Sequence, residues 1–219
     1  MMEKGFDIID ELIEPAIVQS IVQEFEQQQF AESRSGLRNA EKKLRSVRDL
    51  VDSDYLINRA ERYLSGQAKL VRVILFNKTA ESNWLVSWHQ DKTVAVSHQF
   101  NCQGWGPWSI KDKVQHVQPP LDVLDQMVTF RIHLDAVDKN NGGLKIIPGS
   151  HKQGIMTQEQ ITGHVTANEP LYCMGEQGSA LVMRPHLLHA SSKAINPTQR
   201  RVLHVEYSSF DLPDEIQWA

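Results

Sequence analysis

Three short motifs place a histidine two residues before an acidic side chain. They are His89-Gln90-Asp91, His133-Leu134-Asp135 and His204-Val205-Glu206. Residues i and i+2 of a β-strand lie on one face, so each motif can aim an imidazole and a carboxylate at one point. With one more histidine, such a pair forms the 2-His-1-carboxylate set that holds Fe(II) and leaves coordination positions open. About one such pair is expected by chance in a chain with nine histidines and 27 acidic residues, so the surroundings must choose among the three.

The surroundings favour the first pair. The pair His204/Glu206 lies in the last strand-like segment, where the simplest interpretation is a cross-strand pair or a solvated face. The second shares a face with Thr129 and Arg131, a polar face suited to a barrel interior, and is the rival candidate. The first lies where a polar segment containing Trp84 and Trp88 meets the apolar run Val94-Ala95-Val96, a position at the mouth of a strand that suits an open site.

The segment 184–191 offers a third ligand, either His186 or His189. These histidines are three residues apart and point to opposite faces of a regular strand, so at most one points inward. Arg200 follows eleven residues after His189, with Arg201 beside it. A buried guanidinium needs an anion, and its planar fork matches a carboxylate in a bidentate grip. The alternative is a pair of surface arginines at the start of a strand.

Composition limits the classes of function. The formal net charge is −4 and only two cysteines occur, Cys102 and Cys173. There is no basic field for nucleic acid or an anionic membrane, and neither a disulfide scaffold nor a cysteine-based zinc site can form. The sequence contains no secretion signal and no apolar run of about 18 residues, so we expect a cytoplasmic protein whose metal ligands are histidine and carboxylate.

Helical patterns dominate the first 66 residues. A short strand is expected at 6–10, and Glu14-Pro15 opens a helix with one apolar stripe. The pattern remains helical over 39–64, with a break and an N-cap at 52–54, and Gly66 is expected to end the last helix.

After Gly66 the pattern changes to short β-branched segments separated by glycine, proline and asparagine, at 70–76, 93–96, 127–134, 144–147, 179–183 and 201–207. Few helix-length segments separate them, which favours a mainly β, antiparallel barrel or sandwich with the N-terminal helices packed outside. At 219 residues and 41% hydrophobic content, we expect one domain, with 1–66 as helical flank and 67–219 as the core.

The segment Asn101–Pro120 is a connection of 20 residues that contains Trp105 and Trp108. Connections of this length need a reason in a compact domain. One interpretation is a loop that closes over a site, and the other is a surface loop anchored by its tryptophans in a satellite cluster.

Three motifs resemble the phytanoyl-CoA dioxygenase-like family of Fe(II)/2-oxoglutarate oxygenases in order and spacing over about 130 residues. They are the segment 88–91, the segment 141–151, and His189-Ala190-Ser191 followed by Arg200. The resemblance implies a double-stranded β-helix, or jelly-roll, core with flanking helices. It implies Fe(II), 2-oxoglutarate and O2 as the cofactor, cosubstrate and oxidant.

The resemblance also assigns expected roles. The implied iron ligands are His89, Asp91 and His189. The residues implied at the 2-oxoglutarate pocket are Arg200 for the distal carboxylate, Ser191 as a hydroxyl partner, and Gln90 and Arg131 as lining. Arg201 is the alternative to Arg200 for this role, because a shift of one residue at the start of the strand would exchange the two arginines.

The expected activity is hydroxylation of a small molecule with release of succinate and CO2. Related halogenases carry a small residue in place of the ligand carboxylate, and Asp91 closes that position. Two other classes stay open, a cupin-like metal enzyme that does not use 2-oxoglutarate and a non-catalytic ligand-binding jelly roll. The substrate is not specified; a lipid, a natural-product scaffold and an amino-acid derivative all fit.

Overall fold

The computed structural model describes residues 2–28, 35–195, 199–213 and 215–219. Thirteen strands occur within these ranges, and their ladders are antiparallel. They are β1 (Phe6–Ile9), β2 (Gly36–Arg38), β3 (Lys69–Lys78), β4 (Val86–His89), β5 (Val94–Val96), β6 (Trp108–Lys111), β7 (Val114–Val117), β8 (Met127–His133), β9 (Leu144–Ile146), β10 (Leu171–Cys173), β11 (Ala180–Met183), β12 (His189–Ser191) and β13 (Arg200–Ser208).

The strands form three sheets. A large sheet has the order β1-β11-β8-β13-β3-β2, a four-stranded sheet has the order β10-β9-β12-β4, and a small sheet has the order β5-β7-β6. The large and four-stranded sheets face each other across an internal cavity to which both contribute side chains. Each of the six segments expected to be strands contains one, so the mainly β antiparallel prediction is confirmed.

The helices are α1 (Pro15–Gln27), α2 (Ala40–Lys43), α3 (Arg45–Val51), α4 (Asp54–Glu61), α5 (Leu121–Asp125) and α6 (Gln158–Ala167). As expected, Pro15 opens α1, and the break before α4 is capped by the Ser53 hydroxyl, which accepts from Leu56 N. The expected end at Gly66 was wrong by about one turn: α4 ends at Glu61, whose carboxylate accepts from Ala68 N as the chain turns into β3. None of the described helices is long and apolar enough to cross a membrane.

The large sheet separates an apolar layer from a polar one. On β13 the odd-numbered residues Leu203, Val205 and Tyr207 pack against α1 to α4, in the main hydrophobic core. The even-numbered residues Arg200 and His204 point into the cavity. Strict alternation along a strand produces this division, so one strand both anchors the helices and lines the cavity. The first 66 residues also supply β1 and β2 to the same sheet.

The segment Asn101–Pro120 is not a plain connection. It contains the β6–β7 hairpin, which pairs with β5. Trp105 and Trp108 pack edge-on against Phe100, with ring centroids 4.9 and 5.3 Å apart, within a second core cluster. The structure therefore agrees with the satellite cluster rather than with a free lid. The sequence pattern missed the hairpin because its strands have only four residues each, between glycines and prolines.

The contact between helices and sheet dominates stability. Leu56 on α4 is fully buried in the main core, so Leu56→Ala should lower the free energy of unfolding by about 2–5 kcal/mol. The control Leu85→Ala removes the same atoms from a side chain that is 60% exposed and should change it by about 0.5 kcal/mol at most. Urea titration followed by circular dichroism measures both. Equal losses in the two variants would contradict the packing described here.

Candidate active site

Two adjacent strands bring two histidines together. His89 at the end of β4 lies directly opposite His189 at the start of β12, and their ring centroids are 4.2 Å apart. Asp91 follows just after β4, where its backbone N–H donates to Pro185 O at 2.9 Å. One carboxylate oxygen of Asp91 lies 3.6 Å from His89 Nε2, and the other lies 3.4 Å from His189 Nε2. Residues 100 positions apart in the chain thus meet at one carboxylate.

Backbone carbonyls orient both rings. Ser87 O lies 2.9 Å from His89 Nδ1, and Leu187 O lies 2.8 Å from His189 Nδ1. A carbonyl can only accept, so each Nδ1 carries a hydrogen and each neutral ring has its Nε2 lone pair free towards Asp91. This second hydrogen bond is the usual way in which proteins fix the tautomer of a metal-binding histidine.

The three groups shift one another's protonation. Burial acts to raise the pKa of Asp91, but the His189 and His89 rings outweigh it and hold the pKa well below its usual range. Burial opposes charge on His89 as well, yet the hydrogen bond and charge of Asp91 raise its pKa. For His189 burial prevails over Asp91 and lowers the pKa. The cluster therefore presents a carboxylate anion beside imidazole nitrogens.

This donor set fits Fe(II). Two imidazole nitrogens and one carboxylate oxygen lie within 4.8 Å of one another, and the combination is that of non-haem iron oxygenases. A second group of similar spacing combines Asp91 with His204 and Glu206. One oxygen of the Glu206 carboxylate already accepts from Arg72 at 2.5 Å and from His204 at 2.9 Å, so the charge of Glu206 is balanced by Arg72.

The cluster borders a cavity of about 220 Å³ between the two sheets. Residues of the expected site that line it are His89, Asp91, Arg131, His189, Ser191 and Arg200. Further lining residues come mainly from β3 and the segment before β4: Ile74, Phe76, Lys78, Trp84 and Val86. The structure thus brings together six of the seven predicted residues, and their roles remain predictions.

Gln90, the seventh, does not reach the cavity. It lies between His89 and Asp91 and points the other way, as alternation requires. Its amide nitrogen donates to Gly154 O at 2.7 Å and to His186 O at 2.8 Å, and its amide oxygen accepts from Met156 N at 2.9 Å. Gln90 therefore connects the end of β4 to neighbouring loops and, contrary to the expected position, does not line this cavity.

Three buried cations share the cavity. Arg200 and Arg131 were expected there, whereas Lys78, only 2% exposed, was missed by the sequence analysis. The Lys78 ammonium donates to Ser191 Oγ at 2.8 Å and Ser192 O at 2.9 Å. Its location directly opposite Arg200 in the β3–β13 ladder could not be read from spacing alone.

The cations repel one another. Burial, then the charges of Arg200 and Arg131, lowers the pKa of Lys78 to about 8. Burial, then Arg131, lowers the pKa of Arg200 to about 10. Arg200 Nε is also buried without a hydrogen-bond partner in the described structure. An anion in this part of the cavity would relieve the repulsion and complete the hydrogen bonding.

The two adjacent arginines point to opposite faces. Arg201 is held by a bidentate pair with Asp135, at 2.7 and 2.8 Å, and by Glu26 at 2.6 Å. Arg200 points into the cavity. The two residues of the rival pair, His133 and Asp135, have different partners. Asp135 is bound to Arg201, whereas His133 Nδ1 lies 3.0 Å from Ser179 Oγ.

The remaining histidines follow the expected alternatives. His186 points away from the cavity, with Nε2 3.3 Å from Asp125, so only one histidine of the 184–191 segment joins the cluster. For His204 and Glu206 the structure agrees with cross-strand pairing rather than with a solvated face, since both are buried. Glu206 accepts from Arg72 on β3 at 2.5 Å, and His204 Nδ1 lies 3.1 Å from Arg131 Nη1 on β8.

Solved structures share this fold. AviO1 from Streptomyces viridochromogenes Tue57 has a TM-score of 0.70 at 18% identity, over 97% of this chain and 93% of that one. EctD from S. alaskensis with bound Fe has a TM-score of 0.71 at 14% identity, over 94% and 73%. HygX from Streptomyces hygroscopicus, with nickel, 2-oxoglutarate and hygromycin B bound, has a TM-score of 0.67 at 14% identity, over 94% and 83%. The likeness confirms the jelly-roll core with flanking N-terminal helices.

Fold and donor set together define an oxygenase-type iron enzyme. Residues 1–202 match the family model described as phytanoyl-CoA dioxygenase, so the chain belongs to that family. Its cofactor is Fe(II), with 2-oxoglutarate as cosubstrate and O2 as oxidant. No curated protein sequence matches the chain significantly.

Removal of one proposed ligand should abolish metal binding. Because His189 supplies a free Nε2 to the cluster, His189→Ala should weaken Co(II) binding at least about 100-fold, as should Asp91→Asn. His133→Ala, which alters the rival pair, should bind Co(II) as the unaltered protein does. Anaerobic Co(II) titration followed by visible absorption measures all three. Loss of binding in His133→Ala with retention in His189→Ala would reverse the assignment.

Proposed function

We propose that this protein is an Fe(II)/2-oxoglutarate-dependent dioxygenase that hydroxylates a C–H bond of a small molecule. The observation that carries the proposal is the pairing of two features in one cavity. A His-Asp-His cluster lies on one side, and three buried cations without a carboxylate in ion-pair range, among the described residues, lie beside it. A metal site alone does not need those cations, whereas a metal site that takes a dicarboxylate does.

The iron ligands in this proposal are His89, Asp91 and His189. When bound, Fe(II) with 2-oxoglutarate and O2 supplies the oxidation, in which one oxygen atom enters succinate, the other enters the substrate C–H bond, and CO2 leaves. The two histidines hold the metal through Nε2 while Ser87 O and Leu187 O keep their Nδ1 atoms protonated. Asp91 occupies the position that a halide would need, which favours hydroxylation over halogenation.

The cations hold the cosubstrate. Arg200 presents a guanidinium fork to the distal carboxylate of 2-oxoglutarate, and Lys78 supports it from the opposing strand. Ser191 accepts from Lys78 and donates to Gly142 O at 2.7 Å, so its hydroxyl keeps the ammonium in place. Arg131, held by His204, lines the same cavity. Burial excludes water and strengthens each of these contacts.

We further propose that residues 1–219 act as one domain. The flank 1–66 supports the core 67–219 because β1 and β2 extend the large sheet and α1 to α4 cover its outer face. The substrate is a small molecule. In support, HygX, which shares this fold, was solved with hygromycin B bound beside nickel and 2-oxoglutarate.

The cosubstrate claim is tested by spectroscopy. Anaerobic addition of 2-oxoglutarate to the Fe(II) protein should produce a weak visible charge-transfer band, and admission of O2 should yield succinate and CO2 in equal amounts. A cupin-like enzyme that does not use 2-oxoglutarate would show neither, and a non-catalytic jelly roll would show binding without succinate. Absence of the band in metal-loaded protein would overturn the proposal.

The two arginines should behave differently. Arg200→Ala should raise the apparent KM for 2-oxoglutarate at least about 30-fold, because a buried charge-assisted contact worth roughly 2–5 kcal/mol is lost. Lys78→Met should raise it in the same direction. Arg201→Ala should lower the free energy of unfolding, since Asp135 loses its partner, and leave the KM within about threefold of the unaltered value. Steady-state succinate assays and urea titrations separate the two effects, and the reverse order would transfer the role to Arg201.

A further inference from the structure

Strand β3 carries positive charge at both ends of its cavity face. Arg72, Ile74, Phe76 and Lys78 alternate onto that face, and Ile74 and Phe76 line the cavity. Lys78 lies opposite Arg200, at the end assigned to 2-oxoglutarate. Arg72 lies six residues away, about 20 Å along the strand at 3.3 Å per residue. The function proposed above uses the charge at one end only.

The adjacent strand β2 and the neighbouring small sheet add cations near Arg72. Arg38 on β2 pairs directly with Ile74, so it points to the same face, and it is exposed. On the small sheet, Ser109 of β6 lies opposite His116 of β7. Lys111 is two residues beyond Ser109, so Lys111 and His116 share one face of that sheet.

An ion pair brings the small sheet to this end of the cavity. Asp112, in the β6–β7 turn, lies 3.3 Å from the Lys43 ammonium on α2. Asp112 is therefore engaged with Lys43, and no ion pair is formed by Arg38 or Lys111 among the residues that the structure describes. The positive charge of these two side chains is thus not permanently neutralised.

The charges are close enough to perturb one another. Burial, then the charges of Arg72 and Arg38, lowers the pKa of Lys111. Burial, then Arg72 and Lys111, lowers the pKa of His116 to about 4. His116 is therefore neutral near pH 7. It offers a ring nitrogen as a hydrogen-bond donor without adding to the repulsion.

Two nearly buried side chains at this end each contain a nitrogen atom that has no hydrogen-bond partner. Arg72, with a side chain 9% exposed, reaches Glu206 through one terminal nitrogen, and its Nε has no hydrogen-bond partner. His116 is 3% exposed, and its Nδ1 has none. Buried polar atoms are rarely left unpaired, and both of these are next to cations. Arg72 is already paired with Glu206, so an incoming oxyanion would accept a hydrogen bond from Arg72 Nε and balance the charges of Arg38 and Lys111.

We propose that Arg38, Lys111 and the free edge of Arg72 bind an oxyanion of the organic substrate, a carboxylate or a phosphate. The inference rests on the proposed function and deepens it by naming the substrate class: an anionic small molecule. Its charged group binds at the Arg72 end, and its carbon skeleton lies along Ile74 and Phe76 towards the metal ligands. The exposed position of Arg38 makes this end the entry side.

The test uses the full chain loaded with Co(II) and saturated with 2-oxoglutarate. The probes are inorganic phosphate, followed by ³¹P relaxation, and acetate, followed by methyl ¹H relaxation, with Zn(II)-loaded protein as the diamagnetic reference. Co(II) should enhance relaxation of at least one probe, and the stronger response identifies phosphate or carboxylate as the preferred group. Arg38→Gln combined with Lys111→Met should weaken that binding at least about tenfold.

Matched variants separate local from general charge effects. Arg45→Gln with Lys152→Met removes the same two charge types from exposed positions and should leave probe binding unchanged. Arg38→Lys with Lys111→Arg should restore most of it. The inference is overturned if the unaltered protein shows no enhancement, or if the Arg38→Gln/Lys111→Met variant binds the probe as well as the unaltered protein.

Titration of 2-oxoglutarate keeps the two proposals distinguishable. The Arg38→Gln/Lys111→Met variant should bind 2-oxoglutarate with unaltered affinity, because Lys78 and Arg200 are at the other end of β3. If the unaltered protein fails to bind 2-oxoglutarate, the proposed function fails. The anion site is then tested by calorimetry with the same probes and variants in the metal-free protein, where the same loss of binding is expected.

Discussion

Buried positive charge without a permanent counter-charge is the constraint that organises this molecule. Lys78, Arg131 and Arg200 lie inside a protein cavity, where desolvation makes an isolated charge expensive. Lys78 donates a hydrogen bond to Ser191 Oγ and Arg131 donates one to His204 Nδ1, and strands of both sheets place the three side chains in the cavity. In the empty cavity these positive charges repel one another, and a bound dianion would neutralise most of that charge. The charges of the cavity, as well as its shape, therefore favour an anionic ligand.

Strand alternation makes that arrangement possible. One face of the large sheet is apolar and packs on four helices, while the other carries arginine, lysine, histidine and glutamate. Arg200 and Arg201 illustrate the division, since one residue step changes a cavity guanidinium into a structural ion pair with Asp135. A shift of register by one residue would turn the apolar residues of β13 towards the cavity and place Arg201 there instead of Arg200. The hydrophobic core and the charge of the cavity therefore depend on the same register.

Sequence patterns predicted the elements that local chemistry encodes. The six β-branched segments, the proline start of α1 and the serine cap of α4 follow from propensities within a few residues. Six residues expected at the site share the cavity, because strand alternation around His89 and the order of the motifs shared with the family both constrain their positions. Lys78 was missed because its position depends on the pairing of β3 with β13, which is far away in sequence, and the position of Gln90 likewise depends on partners in remote loops. The β6–β7 hairpin was missed for a different reason, the shortness of its two strands.

The position of β4 implies that a bound metal ion would also stabilise the edge of a sheet. This strand is the last in its sheet, and β12 is its hydrogen-bonded neighbour. His89 at its end and His189 on β12 would be joined through a shared ion, in the manner of a disulfide between adjacent strands. The edge of the four-stranded sheet would then be fastened by the reaction centre itself. Loss of iron would loosen the sheet margin beside the cavity, and chelation would act on the architecture as well as on the chemistry.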